Sequence, residues 1–428
     1  MRVDIIPVEK DKNIVFVPES VDYFLADDLT AEVVSRLEEG YENIKDAFPG
    51  LTEEEYKELE RKVCRINSKR KTNIPDRQLD RLIINISNDC NMRCKYCYAN
   101  QGTYGESKNM ITQECLKKTL DVFFNIFEQI GLIQLFGGEP AMNMDAIEFT
   151  GQYLTEKKHK TQLGMVTNTT LVNERFISII KKYDIKVTSS VDVEMLHDFL
   201  RPFPGDKNSW ELVKRNIHKL QDETGQPSQF ELTYTRVHEE QGMTICKVLE
   251  ELKKEYGNIP VHITPVCSSD LKYHLPTRDS FIDSVDEIYE AKNQGIKLTY
   301  STMKALELAL KHKISFDYFC GAGISTLAVS THGDIYPCFY FVDNHRFKMG
   351  NVYDDQKKIG NIILKERKKM LQKQKKNMSI CKECMAQSVC TGCLGANYTE
   401  TGDPFLSSKE HCFMTREMVK EILKHAVM

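Results

Sequence analysis

The apolar residues from residue 81 onward follow two alternating spacings. Short apolar or β-branched runs, such as "RLIINIS" and "LIQLFGGE", are followed by longer runs, such as "ITQECLKKTLDVFFNIFEQI", in which apolar residues recur with helical spacing. The first pattern is typical of buried strands and the second of helices with one apolar face. About six strand and helix pairs follow one another up to residue 300, which predicts an α/β fold around a parallel sheet, either barrel-like or doubly wound.

The first 66 residues show a different order, in which strand patterns come before helical ones. The short runs "RVDIIPVE", "NIVFVPES" and "VDYFLAD" predict strands, and three helical runs follow them. Gly40 and the pair Pro49 and Gly50 separate the helices, and Thr52 followed by Glu55 predicts a capping box for the third helix. Residues 1–66 are therefore predicted to form a small βββααα module, and the polar, basic residues 67–80 a linker.

The regular pattern ends after a predicted bridging helix over residues 301–317, which contains "STMKALELALKHK". Residues 318–428 hold seven of the chain's 14 cysteines but have too little apolar periodicity to fold alone. Regions of this kind are normally held together by bound metal. We therefore predict a parallel-sheet domain over residues 81–300 and a C-terminal cluster-binding domain over residues 318–428.

The charge balance, the apolar runs and the cysteine content of the chain restrict the kinds of partner and the cellular compartment that we expect. The chain carries 58 lysine and arginine residues against 62 aspartate and glutamate residues, so no global field attracts nucleic acid or an acidic membrane. No apolar run reaches the ~18 residues of a membrane span, and the first residues lack the apolar core of a signal peptide. We expect a cytoplasmic protein with a small-molecule or peptide partner, whose clustered cysteines bind metal rather than form disulfides.

Three cysteines lie close together in "NDCNMRCKYCYAN", where Cys90, Cys94 and Cys97 follow the predicted strand "RLIINIS". Three thiolates fill three of the four iron positions of a cubane cluster and leave one iron open for a reactive ligand. The spacing resembles that of the radical S-adenosylmethionine enzymes. The resemblance implies a partial (β/α)6 TIM-like barrel, a 4Fe–4S cluster whose open iron chelates S-adenosylmethionine, and cleavage of that cofactor to a 5′-deoxyadenosyl radical. A structural zinc site completed by a distant ligand is the alternative.

Four later stretches resemble the loops with which the same enzymes bind the cofactor. "GGEP" follows the second predicted strand, and "TNTT", "SSVD" and "TYTRV" follow later strands. The resemblance implies that S-adenosylmethionine is contacted by Tyr96, Gly137, Gly138, Glu139, Asn168, Ser190 and Arg236. By residue type alone, Asn168 and Ser190 are also typical loop caps. Arg236 would equally suit a surface ion pair, and Tyr96 a protein core.

The C-terminal cysteines resemble those of the SPASM domain, which carries two auxiliary iron–sulfur clusters. The resemblance implies an outer cluster with four ligands, here called the outer cysteines: Cys381, Cys384, Cys390 and Cys412. It assigns the inner cluster to the inner cysteines: Cys320, Cys338 and Cys393. With the first motif, the chain would hold three 4Fe–4S clusters. A rubredoxin-like or zinc-ribbon fold explains the two CxxC pairs but leaves Cys320, Cys338 and Cys412 unused.

The inner cluster then lacks one thiolate, because the residues before Cys320, "KHKISFDYF", contain no cysteine. An open iron there would suit a substrate thiolate, since thiolates are preferred iron ligands. Alternatively, Cys64, Cys246 or Cys267 supplies the fourth ligand. Outside a cluster such cysteines are more often buried, inert thiols, which is also the expectation for Cys115.

Two longer segments, "SSVDVEMLHDFLRPFPGDKNSW" and "LAVSTHGDIYPCFYFVDNHRFKMGNV", resemble those of SPASM peptide maturases that join a cysteine sulfur to a carbon atom. The N-terminal module resembles the winged-helix-like element with which such enzymes bind a precursor's leader peptide as an added strand. A stabilising cap is the alternative. The resemblance implies an enzyme that forms intramolecular thioether crosslinks in a ribosomally made, cysteine-containing precursor peptide. Its electron donor would be a protein such as flavodoxin or ferredoxin.

Other functions stay open at this point. A related maturase could make carbon–carbon crosslinks or another radical modification, and a zinc-held scaffold could bind a peptide without catalysis. The intact "CNMRCKYCY" and "GGEP" motifs disfavour the scaffold, which needs no open cluster site. A sulfatase-activating enzyme is disfavoured because Phe339 follows Cys338, where those relatives carry an aspartate. The basic run at residues 365–377 is expected to be a solvated helix face.

Overall fold

The computed structural model describes residues 2–64, 69–70, 77–268 and 270–427. The predicted linker at residues 67–80 lies mostly outside this part of the chain, at residues 67–68 and 71–76. None of the helices in the described ranges combines the length and the apolar composition that a membrane span needs.

The N-terminal residues form an antiparallel sheet followed by helices. The strands pair in sequence order: β1 (Asp4–Glu9), β2 (Lys12–Val17) and β3 (Asp22–Ala26). Helices and a two-residue strand follow: α1 (Asp28–Ser35), α2 (Tyr41–Ile44), α3 (Glu53–Val63) and β4 (Lys69–Arg70). The predicted capping box is confirmed, because Thr52 Oγ1 accepts from the Glu55 N–H and the Thr52 N–H donates to the Glu55 carboxylate.

Parallel strands form the centre of the molecule: β5 (Gln78–Ser87), β6 (Gln129–Gly137), β7 (Gln162–Thr167), β8 (Lys186–Ser190), β9 (Gln229–Tyr234) and β10 (Val261–Pro265). They lie side by side in sequence order. A doubly wound sheet reverses its strand order at a switch point, so the consecutive order favours the barrel-like alternative. Residues 82–87 of β5 are all buried, as expected for a strand that is covered on both faces.

Helices connect these strands: α4 (Gln113–Ile126), α5 (Met144–Glu156), α6 (Glu174–Tyr183), α7 (Glu194–Leu200), α8 (Trp210–Thr224), α9 (Arg236–Glu240), α10 (Ile245–Tyr256), α11 (Asp279–Asn293) and α12 (Ser301–His312). The bridging helix was expected to reach residue 317, but α12 ends at His312. Lys313 adopts a left-handed conformation with φ of 53°, which terminates the helix. Strand β11 (Ile314–Ser315) then pairs in parallel with β4.

The C-terminal residues add strands to the same sheet. Strand β12 (Thr326–Val329) pairs in parallel with β5, and β13 (Asp334–Tyr336) and β14 (Gly350–Asn351) continue the sheet in antiparallel fashion. The predicted boundary at residue 318 therefore separates two parts of one continuous sheet. The reason is the apolar run of β12, which is buried along its whole length and needs partners on both sides. The remaining helices are α13 (Gln356–Met370), α14 (Ser379–Lys382), α15 (Leu394–Thr401) and α16 (Lys409–Val427).

Candidate active site

The carboxyl ends of the parallel strands border a cavity of about 780 Å³. Gly137, Asn168 and Ser190 contribute to its wall from the ends of β6, β7 and β8, and Cys320 and Cys393 contribute from the C-terminal region. Ligands of parallel α/β sheets bind at this edge, because the loops that follow the strands meet there. The cavity is therefore the candidate active site.

The loop at residues 90–97, here called the three-cysteine loop, places Cys90, Cys94 and Cys97 in the wall of this cavity. Burial raises the pKa of Cys90 to about 12, and the nearby charges of Cys94 and Cys97 add to the rise. Two N–H groups approach the Cys90 sulfur, the Met92 backbone at 3.4 Å and Asn168 Nδ2 at 3.7 Å. This group of partly buried thiols fits a 4Fe–4S cluster, because bound metal keeps its thiol ligands deprotonated.

The loop after β6 holds the three-cysteine loop in place through two glycines. The Gly138 N–H donates to Ser87 O at 2.7 Å, and the Glu139 N–H donates to Asp89 O at 2.8 Å. A Cβ atom at Gly137 would lie 2.2 Å from Ser87 O, and one at Gly138 would lie 2.1 Å from Asp89 O. Glycine at both positions permits this close approach, which fixes the backbone directly before the first cysteine.

We expect the substitution Gly138→Ala to lower 5′-deoxyadenosine formation from S-adenosylmethionine by about tenfold or more, since overpacking of this kind costs about 1–3 kcal/mol. The added Cβ atom must push Asp89, and with it the three-cysteine loop, out of place. Gly50→Ala is the matched control, because a Cβ atom at Gly50 meets nothing within 4 Å. Chromatographic quantification of 5′-deoxyadenosine checks both variants. Equal activity of the two variants would show that the close approach is not required.

Glu139 lies in the cavity wall, but its carboxylate is already bound within the protein. One oxygen accepts from Thr167 Oγ1 at 2.6 Å and from the Ala141 N–H at 2.9 Å, and the other accepts from the Asn168 N–H at 2.7 Å. Burial raises the pKa of Glu139, and these hydrogen bonds oppose the rise. Glu139 thus ties the loops after β6 and β7 together and positions Asn168 in the cavity wall.

The other predicted cofactor contacts divide into two groups. Tyr96, Asn168 and Ser190 line the cavity. Arg236 does not belong to the cavity wall; it is exposed at the start of α9, and its Nε donates to Glu240 Oε1 at 2.9 Å. Strand β9 passes almost directly into this short helix, so Arg236 pairs with a carboxylate one turn further on. A cofactor contact by Arg236 stays a prediction that this placement does not favour.

Arg201 is a candidate functional residue that the sequence patterns did not single out. It lines the cavity with 5% exposure, and its Nη1 donates to Tyr96 Oη at 2.8 Å. Within the described ranges, Arg201 Nε has no hydrogen-bond partner. Burial raises the pKa of Cys94, and the charge of Arg201 opposes that rise. A buried guanidinium beside the three-cysteine loop is suited to an anionic group such as the carboxylate of S-adenosylmethionine.

The inner cysteines come together beside the cavity. Burial is the largest cause that raises the pKa of Cys338, and the nearby charges of Cys393 and Cys320 raise it further. Cys393 also precedes α15, where its sulfur accepts from the Ala396 N–H at 3.5 Å. Cys320 and Cys393 line the same cavity as the three-cysteine loop. This donor set fits an iron–sulfur cluster, and ligation itself stays a prediction.

The outer cysteines form a second group. Burial raises the pKa of Cys381 to about 12, with further contributions from Cys390, Cys412 and Cys384. The Lys375 ammonium group is buried beside them, with 1% exposure, and donates to Cys390 O at 2.6 Å. The expectation of a solvated helix face over residues 365–377 is therefore wrong at Lys375, which lies against the outer cysteines. A cation in this place would balance the negative charge of a thiolate-bound cluster.

Two domain families match this chain. Residues 84–241 match the radical SAM superfamily, and residues 320–385 match the SPASM iron–sulfur cluster-binding domain. The chain therefore contains a radical SAM domain, which includes the three-cysteine loop, followed by a SPASM domain. These domains imply S-adenosylmethionine and 4Fe–4S clusters as cofactors. The resemblance drawn from the cysteine spacing is confirmed at this level.

Several proteins similar to this chain have names or structures that involve peptides. AlbA of Bacillus subtilis strain 168, a subtilosin biosynthesis protein, is 23% identical over 289 residues, which are 63% of this chain and 56% of AlbA. The structure of anSMEcpe with bound AdoMet has a TM-score of 0.68 at 18% identity, over 81% of this chain and 97% of that chain. SuiB of Streptococcus suis bound to the precursor peptide SuiA has a TM-score of 0.56 at 17% identity, over 95% of this chain and 98% of that chain.

The solved structures and the curated relatives support different conclusions about this chain. The two solved structures show a shared fold. The chain spans between 31% and 56% of the length of the first curated relatives that it matches. The α/β fold with a large, mostly parallel sheet is thus confirmed, whereas the reaction and the substrate are matters for a proposal.

Proposed function

We propose that this protein uses S-adenosylmethionine to form thioether crosslinks between cysteine sulfurs and carbons of a ribosomally made precursor peptide. One observation carries the proposal: a single cavity wall contains both the three-cysteine loop and the inner cysteines Cys320 and Cys393. A peptide bound there would lie beside the site of radical formation and beside an electron-accepting cluster. SuiB has a similar fold and binds a precursor peptide, and AlbA takes part in subtilosin biosynthesis, which supports a peptide as the substrate.

The cofactor site is proposed to consist of the three-cysteine loop and the strand ends around it. The cluster would be held by Cys90, Cys94 and Cys97, and S-adenosylmethionine by Tyr96, Gly137, Gly138, Asn168, Ser190 and Arg201. Bound there, the two would supply a 5′-deoxyadenosyl radical that takes a hydrogen atom from a carbon of the peptide. The hydrogen bond from Arg201 to Tyr96 holds the guanidinium in the cavity wall, where it would be available to the cofactor's carboxylate.

Three aromatic side chains in the cavity wall come one or two residues after cysteines in the sequence. Tyr98 directly follows Cys97, and Tyr340 follows Cys338 by two residues. The rings of Tyr98 and Tyr340 face each other with centroids 4.5 Å apart, and Phe339 packs against both. These apolar rings would keep water away from a carbon radical while the peptide is held in place.

The N-terminal module is proposed to bind the leader part of the precursor. Strand β3 lies at an edge of the small sheet; its residue Leu25 is 41% exposed, and Leu29 in the first turn of α1 is 62% exposed. An unpaired edge with exposed apolar side chains can accept a peptide as an additional strand. Electrons would come from a cytoplasmic carrier such as flavodoxin or ferredoxin.

Mass spectrometry of modified peptides tests the crosslink. We expect the anaerobically reconstituted protein, with S-adenosylmethionine and a low-potential reductant, to convert members of a panel of cysteine-containing peptides. Each product should be two hydrogen atoms lighter per crosslink, and after treatment with a disulfide reductant the crosslinked cysteine should still not react with iodoacetamide, because its sulfur has entered a bond to carbon. The same peptides with serine in place of cysteine are the control and should stay unchanged.

A different outcome would replace the thioether proposal. Products that lose two hydrogen atoms while every thiol still reacts with iodoacetamide would identify a carbon–carbon crosslink. Formation of the lighter product from the serine peptides would show that the reaction does not need the cysteine sulfur. Either result would leave the radical SAM and SPASM domains in place and change only the bond that they make.

A further inference from the structure

We infer that Cys267 is the fourth ligand of the inner cluster, which the inner cysteines alone leave one thiolate short. The inference rests on the proposed assignment of Cys320, Cys338 and Cys393 to that cluster. Cys267 follows β10 by two residues, so it belongs to the same strand-end edge of the sheet as the cofactor loops. Its side chain lines the cavity together with Cys320 and Cys393.

Apart from Pro265, which precedes it in the same part of the chain, the neighbours of Cys267 lie on segments that carry the inner cysteines. Its thiol is close enough to Cys393 and Tyr340 to interact with them electrostatically. The Sγ atom is 3.9 Å from Glu400 Oε1, on helix α15, which begins directly after Cys393. Pro265 O lies 4.0 Å away. The contacts with Glu400 and Pro265 are long, so the thiol can turn toward iron with little loss of hydrogen bonding.

The other spare cysteines lie away from this place. Cys64 is exposed at the end of α3, and Cys246 lies on α10, where its charged neighbours are Glu250 and Glu287. Cys115 is buried on α4. None of these three, all within the described ranges, lines the cavity. Of the alternatives that the sequence leaves open, Cys267 is therefore the one that the fold brings to the inner cysteines.

The surroundings of Cys267 disfavour a free thiolate, so metal binding itself would have to deprotonate the thiol. Arg278 and Glu400 form an ion pair in the cavity wall, with side chains 5% and 11% exposed. Burial, Glu400 and Cys393 raise the pKa of Cys267 to about 12, and the charge of Arg278 opposes them. The pKa of Cys90, a ligand by its motif, is raised as far. Iron binding outweighs such a rise, because a coordinated thiol is deprotonated outright.

A fourth protein thiolate decides how the inner cluster can act. With four cysteine ligands every iron atom is coordinated, so a peptide thiolate has no open iron there. The inner cluster then serves electron transfer. The peptide sulfur has to be held in the cavity by other groups until it meets the reacting carbon.

The test uses the full chain with Cys90, Cys94 and Cys97 replaced by alanine, so that the auxiliary clusters are observed alone. We expect this background to hold about eight irons after reconstitution, as two cubanes require. Its reduced EPR spectrum should not change when β-mercaptoethanol is added. Adding Cys267→Ala should release about one iron on mild oxidation. It should also make the spectrum respond to β-mercaptoethanol, because that thiolate binds the iron that Cys267 has left.

Cys246→Ala and Cys64→Ala in the same background are matched controls and should behave as the background does. A Cys267→Ala variant with unchanged iron content and no response to thiol would overturn the inference. So would a background protein that already responds to β-mercaptoethanol, and this readout decides the question even where the Cys267 variant fails to fold. Neither readout uses a peptide, so a failure of the ligand assignment and a failure of crosslinking are told apart.

Discussion

The variant with Cys90, Cys94 and Cys97 replaced by alanine is expected to form no 5′-deoxyadenosine from S-adenosylmethionine, whereas the wild-type protein forms it under anaerobic, reducing conditions. The reason is that these thiols hold the cluster at which the cofactor is cleaved. The variant should lose about four irons, one cubane, and keep the irons of the SPASM domain. Chromatography of the nucleoside products and an iron assay measure both effects.

The control for this loss is Cys115→Ala, which removes a buried thiol of α4 that lies outside the cavity. That variant should keep the wild-type iron content and should still cleave the cofactor. Wild-type amounts of 5′-deoxyadenosine from the triple variant would contradict the assignment of the three-cysteine loop. Equal losses in the Cys115 variant would show that the assay reports general damage to the fold.

Replacement of Arg201 by methionine should weaken S-adenosylmethionine binding by about 10- to 100-fold, since a hydrogen bond to a charged group contributes about 1.5–3 kcal/mol. The guanidinium is buried in the cavity wall beside Tyr96, and its Nε has no partner within the described part of the chain. A ligand carboxylate would supply that partner. Anaerobic equilibrium dialysis gives the dissociation constant directly.

Two variants separate cofactor binding from a general charge effect. Arg201→Lys keeps the charge but not the two-pronged geometry, so its binding should fall between that of wild type and Arg201→Met. Arg236→Met removes an exposed arginine that pairs with Glu240 and should leave binding unchanged. If Arg236→Met weakens binding as much as Arg201→Met, the cofactor site has been placed wrongly.

The cysteine loops could be predicted from the sequence because their chemistry is local. Three thiols within residues 90–97 must lie within reach of one cluster in almost any fold. The strand and helix pairs of the parallel sheet were also readable, because buried strands such as β5 are apolar along much of their length. Glu139 came with its "GGEP" motif, although its role as a link between two loops needed the structure.

Features that depend on contacts between residues far apart in the sequence could not be predicted from the sequence alone. Arg201 is placed by Tyr96, which lies 105 residues earlier in the chain. Lys375 stands in a basic run typical of a solvated helix, and its burial follows from the position of Cys390. Strand β12 pairs with β5, which lies more than two hundred residues earlier in the sequence. The local sequence around β12 therefore gives no sign that the two strands share a sheet. Cys267 resembles any spare thiol until β10 places it in the cavity wall.

Iron and zinc analysis of the anaerobically reconstituted wild-type protein tests the central claim most directly, namely that the three cysteine groups hold iron–sulfur clusters around a radical site. We predict about twelve irons per chain, as three cubanes require, together with Mössbauer spectra of 4Fe–4S clusters and little zinc. Zinc in place of iron, with no 5′-deoxyadenosine formed from S-adenosylmethionine, would contradict the account. That result would make the cysteine groups supports of a peptide-binding scaffold.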